Sequence, residues 1–145
     1  MTAISMSKSE REEFLAGVHI AVLAVAREEG PPLVTPVWYR YSPGGEIELN
    51  TARESEKARL LTAAGRASLC AQSEALPYAY VTVEGPVEIA DTTPEAREDI
   101  AVRYLGADLG AAYLASTKDV DDVIVRLRPE QWRTVDYAKL ELSPP

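Results

Sequence analysis

The chain has little of what most metal and nucleophile sites are built from: of its 145 residues, one is a histidine, His19, and one a cysteine, Cys70. A lone cysteine cannot close an intramolecular disulfide, which suits a reducing compartment. A lone histidine excludes a multi-histidine metal centre, and no zinc or iron cluster can be assembled around it with Cys70. A Ser-His-Asp triad would have to use that same histidine, and no Gly-x-Ser-x-Gly nucleophile elbow occurs. At the mouth of an apolar strand, His19 reads as a partly buried structural residue in preference to an axial haem ligand.

Basic charge is also short. Fifteen Lys and Arg stand against 23 Asp and Glu, for a net charge of -8. Nucleic acid and anionic membrane both require a basic field, so neither is an expected partner, and an anionic ligand must find a local basic pocket. The tyrosines and tryptophans lack the basic companions of a nucleic-acid platform. No 18-residue apolar run and no basic-start, apolar-core leader pattern occurs, so the expected compartment is the cytoplasm. Asp119, Asp121 and Asp122 lack the glycine and terminal glutamate of a calcium loop and read as a solvated turn.

What remains is an ordinary globular composition of a size that supports one core. A single domain over 1–145 is expected, with 1–6 and 138–145 as peripheral tails. Ser7-Lys8-Ser9-Glu10 reads as a capping box ahead of a short helix over 9–16. The apolar run 19–26 suits a strand buried on both faces, and Gly30-Pro31-Pro32 turns the chain. The next strand spans 33–41, and its Pro36 removes a ladder donor, so a bulge, an edge position or a ligand-facing gap is expected there. After Ser42-Pro43-Gly44-Gly45, residues 47–50 close a hairpin on that strand. The spacing then predicts a helix over 55–64 stopping at Gly65. Strands follow over 67–72 and 78–89, the latter bent at Gly85-Pro86. A helix capped by Thr93-Pro94 runs to about Leu105, and a further short helix or turn covers 108–116. Strands over 122–128 and 133–136 complete the chain. Hairpin-length turns and two or three helical inserts give a mainly β class, a six- to seven-stranded antiparallel barrel.

The stretch from Asn50 to Arg59 leaves a strand and enters a helix. A helix N-terminus offers unpaired N–H groups and partial positive charge, so the hydroxyls of Thr51 and Ser55 with the cations Arg53, Lys57 and Arg59 would suit a phosphate. The plain alternative is that Ser55 only caps its helix and the cations are solvated partners of Glu54 and Glu56.

Taken together, Leu23-Ala24-Val25, Gly30-Pro31-Pro32, Pro36-Val37-Trp38-Tyr39, Asn50-Thr51 with Ser55-x-Lys57-Ala58, and Tyr80-Val81-Thr82-Val83-Glu84-Gly85 resemble the pyridoxamine 5′-phosphate oxidase-like superfamily. Within it, the chain is similar to the small flavin and deazaflavin oxidoreductases. The resemblance spans roughly residues 10 to 137 and implies a homodimeric split β-barrel with cofactor sites at the dimer interface. It implies that Thr51, Ser55 and Lys57 hold the cofactor phosphate, assisted by Arg53 or Arg59, and that Pro36, Val37 and Trp38 lie along the isoalloxazine edge. Tyr78, Tyr80, Trp132 and Arg133 would reach the cofactor of the other protomer, Trp132 having the alternative of a barrel-end core residue.

The Arg-x-His-x-Arg-like closing segment of the true oxidases is absent, the chain reading Trp132-Arg133-Thr134-Val135-Asp136-Tyr137, so that activity is not expected. The implied function is hydride transfer between a bound cofactor and a small conjugated organic substrate, with no side chain required as nucleophile. The 8-hydroxy-5-deazaflavin coenzyme (F-420) is slightly favoured over FMN, on the association of Ala-, Arg- and Val-rich composition with its users. A non-catalytic flavin- or haem-binding carrier of the same fold is the other expectation.

Overall fold

The computed structural model describes residues 3–145. Of the segment expected as an N-terminal tail, residues 1 and 2 lie outside the described residues. The rest is tied down: Met6 is buried in the core, its N–H donates to Thr134 Oγ1, and Asp136 N–H donates to Ile4 O.

Helix α1 (Lys8–Ala16) begins at the expected capping box, Ser7 Oγ accepting from Glu10 N–H while Glu10 Oε1 accepts from Ser7 N–H. It buries Leu15 against the barrel end. Strands β1 (Ala21–Val25), β2 (Leu33–Val37) and β3 (Ile47–Ala52) follow, then α2 (Glu56–Ala64), β4 (Arg66–Ser73) and β5 (Ala79–Asp91). Helix α3 (Pro94–Ser116), β6 (Asp122–Leu127) and β7 (Gln131–Asp136) complete the fold, with a 3-10 turn at Tyr137–Lys139.

All the strands belong to one antiparallel sheet, in the order β2-β1-β4-β5-β6-β3, with β7 also on β5. This is the mainly β, seven-stranded split barrel the sequence leads one to expect. Strand β5 belongs to both halves. It pairs with β4 over residues 79 to 86, with β7 over 79 to 84, and with β6 over 87 to 91. The change of partner falls at Gly85-Pro86, where a Cβ on Gly85 would stand 1.8 Å from Arg128 O. Only glycine lets the β6–β7 connection cross so closely, and Arg128 N–H and Glu130 N–H lock the crossing by donating to Pro86 O and Glu84 O.

Two expectations are corrected. The strand after the Gly30 turn ends at Val37, not Tyr41, and β3 does not close a hairpin on it: its full-length partner is β6. A single β-bridge, Arg40↔Glu48, with an ion pair between the same two side chains, joins the two segments. Continuing that register would set Trp38 against Asn50 and Pro36 against Ala52. The ladder cannot form at Pro36, which has no N–H to give to β3. The barrel therefore stays open along this seam, with α3 alongside. Pro36 is accordingly on an edge strand, one of its three expected settings.

The two helical segments expected over 94–105 and 108–116 are present as one helix broken at Gly106, whose φ of 81° lies in the left-handed region. Strand β1 alternates buried Ala21, Leu23 and Val25 with half-exposed Val22 and Ala24. Within one chain its outer face is not covered, contrary to the expectation of a strand buried on both faces.

Candidate functional site

A cavity of ≈ 410 Å³ lies in the open seam. Pro36, Val37 and Trp38 form one wall, while Asn50 from β3 and Lys57 from α2 face it. Helix α3 contributes Arg97, Ile100, Ala101 and Tyr113. Three of these follow helical periodicity: 97, 100 and 101 lie on one face, and Tyr104, one turn further, stacks on the Trp38 indole with centroids 5.2 Å apart and planes at 10°. Beyond the Gly106 break, Tyr113 meets the same indole at 5.6 Å and 53°. The volume and largely apolar lining with a few converging polar groups are those of a small-molecule site.

The charges are unequally satisfied. Arg97 Nε is 3.1 Å from Asp122 Oδ2, and Arg97 Nη2 donates to Thr117 O and Oγ1. Asp122, expected in a solvated turn, thus lines the cavity. Lys57 has no hydrogen-bonded or ionic partner among the described residues, and burial holds its ammonium below the ordinary lysine value. A half-buried cation without a counter-charge raises the affinity of its surroundings for an anion.

Beside it, Ser55 caps α2 by accepting from Ala58 N–H at 3.0 Å, and its hydroxyl lies 3.1 Å from that of buried Thr51. The first amides of α2, at Glu56 and Lys57, precede any intrahelical acceptor and are open to an anion. Of the sequence-predicted residues, the structure brings together Pro36, Val37, Trp38 and Lys57, with Ser55 and Thr51 adjacent. Arg53 is held instead by Asp121 Oδ2 (2.9 Å) and Asp91 Oδ1 (2.6 Å), and Arg59 by Glu56, so these cations already have carboxylate partners.

Tyr78 and Tyr80 line a second depression, of ≈ 390 Å³, with Tyr137. Trp132 packs against the core, its ring 6.4 Å from Tyr41 and covered by the Arg11 guanidinium at 4.4 Å. That is the barrel-end setting weighed for it. Arg133 is exposed on β7. His19 stacks on Phe14 at 4.4 Å, and its Nε2 lies 2.9 Å from Phe14 O. A carbonyl only accepts, so that nitrogen carries the proton and is not free to bind a metal. Among the described residues no group of three or more His, Cys, Asp or Glu could hold a metal ion, and no helix is long and apolar enough to cross a membrane.

The seam cavity, flanked by a helix N-terminus, defines a ligand-binding split barrel. The chain belongs to the pyridoxamine 5′-phosphate oxidase family, whose profile matches residues 7–136. Among solved structures, it is similar to the conserved hypothetical protein Rv2991 from Mycobacterium tuberculosis, with 28% identity, a TM-score of 0.79, and coverage of 100% of this chain and 94% of that one. It is also similar to an F420 reductase, at 25% identity and TM-score 0.68, over 84% of this chain and 94% of the other. An FAD-binding protein (mll6688) from Mesorhizobium loti, at 20% identity and TM-score 0.68 over 90% and 94%, shares the fold. No curated protein matches the chain.

Proposed function

We propose that this protein is an oxidoreductase that holds a flavin-type cofactor in the seam cavity and transfers a hydride between it and a small, flat, conjugated organic substrate. The observation that carries the reading is Lys57, a half-buried ammonium without a counter-charge at the head of α2, opposite the flat wall of Pro36 and Trp38. The chain's residues fit such a group: Lys57 and the open amides of α2 suit its phosphate, with Ser55 and Thr51 shaping the helix start, and Trp38 suits its ring. The cofactor supplies the two-electron chemistry, and the protein supplies position and a pocket that sheds water. The 8-hydroxy-5-deazaflavin coenzyme is favoured over FMN by the 25% identity to an F420 reductase over most of both chains.

The working unit in this reading is a homodimer. Uncharged Val22, Ala24 and Cys70 are half-exposed on the outer sheet face, and the registers set Pro36, Val22, Cys70, Thr82 and Arg133 in one row across it. A second copy packed on this face about a two-fold axis would bury the apolar side of β1 and carry its Arg133 towards the first copy's Pro36. The test is titration of the purified protein with the deazaflavin coenzyme and, separately, FMN, followed by turnover of the reduced cofactor with quinone-like acceptors. Binding of one cofactor per protomer with turnover supports the reading; stoichiometric binding without turnover makes the protein a carrier, and binding of neither overturns both.

A further inference from the structure

The β1–β2 register, Ala21↔Val37, continued by two residues sets His19 opposite Tyr39. The Pro36 position of the ladder cannot use an N–H, so the alternate pairs, 21↔37 and by extension 19↔39, are the ones placed to exchange hydrogen bonds. At 19↔39 that exchange is replaced by a side chain. Tyr39 N–H donates to the Tyr104 hydroxyl at 3.1 Å, and that hydroxyl donates to His19 O at 2.7 Å. One oxygen atom from α3 thus sits inside the ladder, satisfying both strands while holding them apart next to Ile20 and Trp38, which both line the cavity. The Tyr104 ring is the same one that lies flat against the Trp38 indole.

We propose that Tyr104 is a positioning residue for the seam cavity: its hydroxyl wedges β1 and β2 apart at the mouth, and its ring fixes the Trp38 wall against which the ligand lies. The wedge rests on the proposed cofactor site for its consequence, though not for its geometry. No charge is involved; the residue acts through the shape it imposes on Trp38.

The experiment compares wild type, Tyr104→Phe, Trp38→Leu and the double variant in the full chain, by titration with the deazaflavin coenzyme and FMN and by thermal melting. Tyr104→Phe should weaken binding of the preferred cofactor about tenfold, the worth of one hydrogen bond in positioning. In the Trp38→Leu background the same change should matter less than about twofold, because the indole whose place the hydroxyl sets through the neighbouring Tyr39 N–H is gone. Unchanged binding in Tyr104→Phe, with only a lower melting temperature, makes Tyr104 merely structural and overturns the proposal, as does an equal loss in both backgrounds. If wild type binds neither cofactor, the functional reading fails and the wedge is judged by amide hydrogen exchange alone. Tyr39 N–H should then lose protection in Tyr104→Phe while Leu23 and Val37 keep theirs, and retained protection of Tyr39 overturns it.

Discussion

Replacing Lys57 by methionine separates stability from binding. The thioether keeps the length and most of the apolar stem and deletes the charge. In the free protein the ammonium has no partner among the described residues, so nothing is lost, and a desolvated charge is removed. Lys57→Met should therefore melt at or above the wild-type temperature. Binding should move the other way. A hydrogen bond to a charged group is worth about 1.5–3 kcal/mol, so losing the one between Lys57 and a phosphate oxygen should weaken binding by roughly 10- to 150-fold.

The pH dependence has a definite sign. Burial lowers the Lys57 pKa from its ordinary 10.5, so the folded chain releases this proton before the unfolded chain does. The cost of the buried charge is in full force below the folded value and fades as pH rises towards 10.5, a slope Lys57→Met should lack. Cofactor affinity of the wild type should fall over the same window as the ammonium is lost. Titration by cofactor fluorescence and melting by circular dichroism, each across pH, read these effects. A variant that melts well below wild type, or that binds both cofactors undiminished, refutes the assignment of Lys57 as an unpaired anion receptor.

Gly85→Ala should cost on the order of 3 kcal/mol or more in chemical denaturation, because its Cβ meets the Arg128 carbonyl rather than a movable side chain. Glu10 is held down to about 2 by hydrogen bonds from Lys139 and from the Ser7 amide and hydroxyl. Its stabilisation is present above its ordinary 4.5 and fades as pH falls towards 2, so acid melts of Glu10→Gln should lack that part of the slope. Ala24→Arg, on the outer face of β1, should shift sedimentation from dimer to monomer and weaken cofactor binding with it; a variant that stays dimeric removes this face as the interface.

Legibility in the sequence followed the range of the signal. The Ser7 capping box, the Ser55 and Thr93 caps and the Gly106 break are local devices, read correctly because they act within a few residues. Strand pairing is long-range, and the expected hairpin over 33–50 failed for that reason: turn residues at 42–45 say where the chain reverses and nothing about β6 taking β3 from across the sequence. Pro36 was the trace of the opening. Four of the cavity residues, Pro36, Val37, Trp38 and Lys57, were legible through the family resemblance. Arg97, Ile100 and Ala101 were missed, although their i, i+3, i+4 spacing continued by Tyr104 marks a helix face with work to do. Asp122 was missed because acidic runs usually face water, and only the fold brings Arg97 to it. The carboxylate partners of Arg53 are equally remote, at Asp91 and Asp121.

The passage of β5 from one half-barrel to the other makes it a stretch of backbone whose cutting separates the two halves. A nick at the exposed turn 117–121 leaves each fragment with whole strands to offer the other, so two such pieces could reassemble when mixed. A nick between Gly85 and Pro86 would part the ladder that serves β4 and β7 from the one that serves β6, leaving each fragment with half of a strand. The protein should therefore tolerate circular permutation at the first site and resist it at the second, and the two halves of the barrel should denature together.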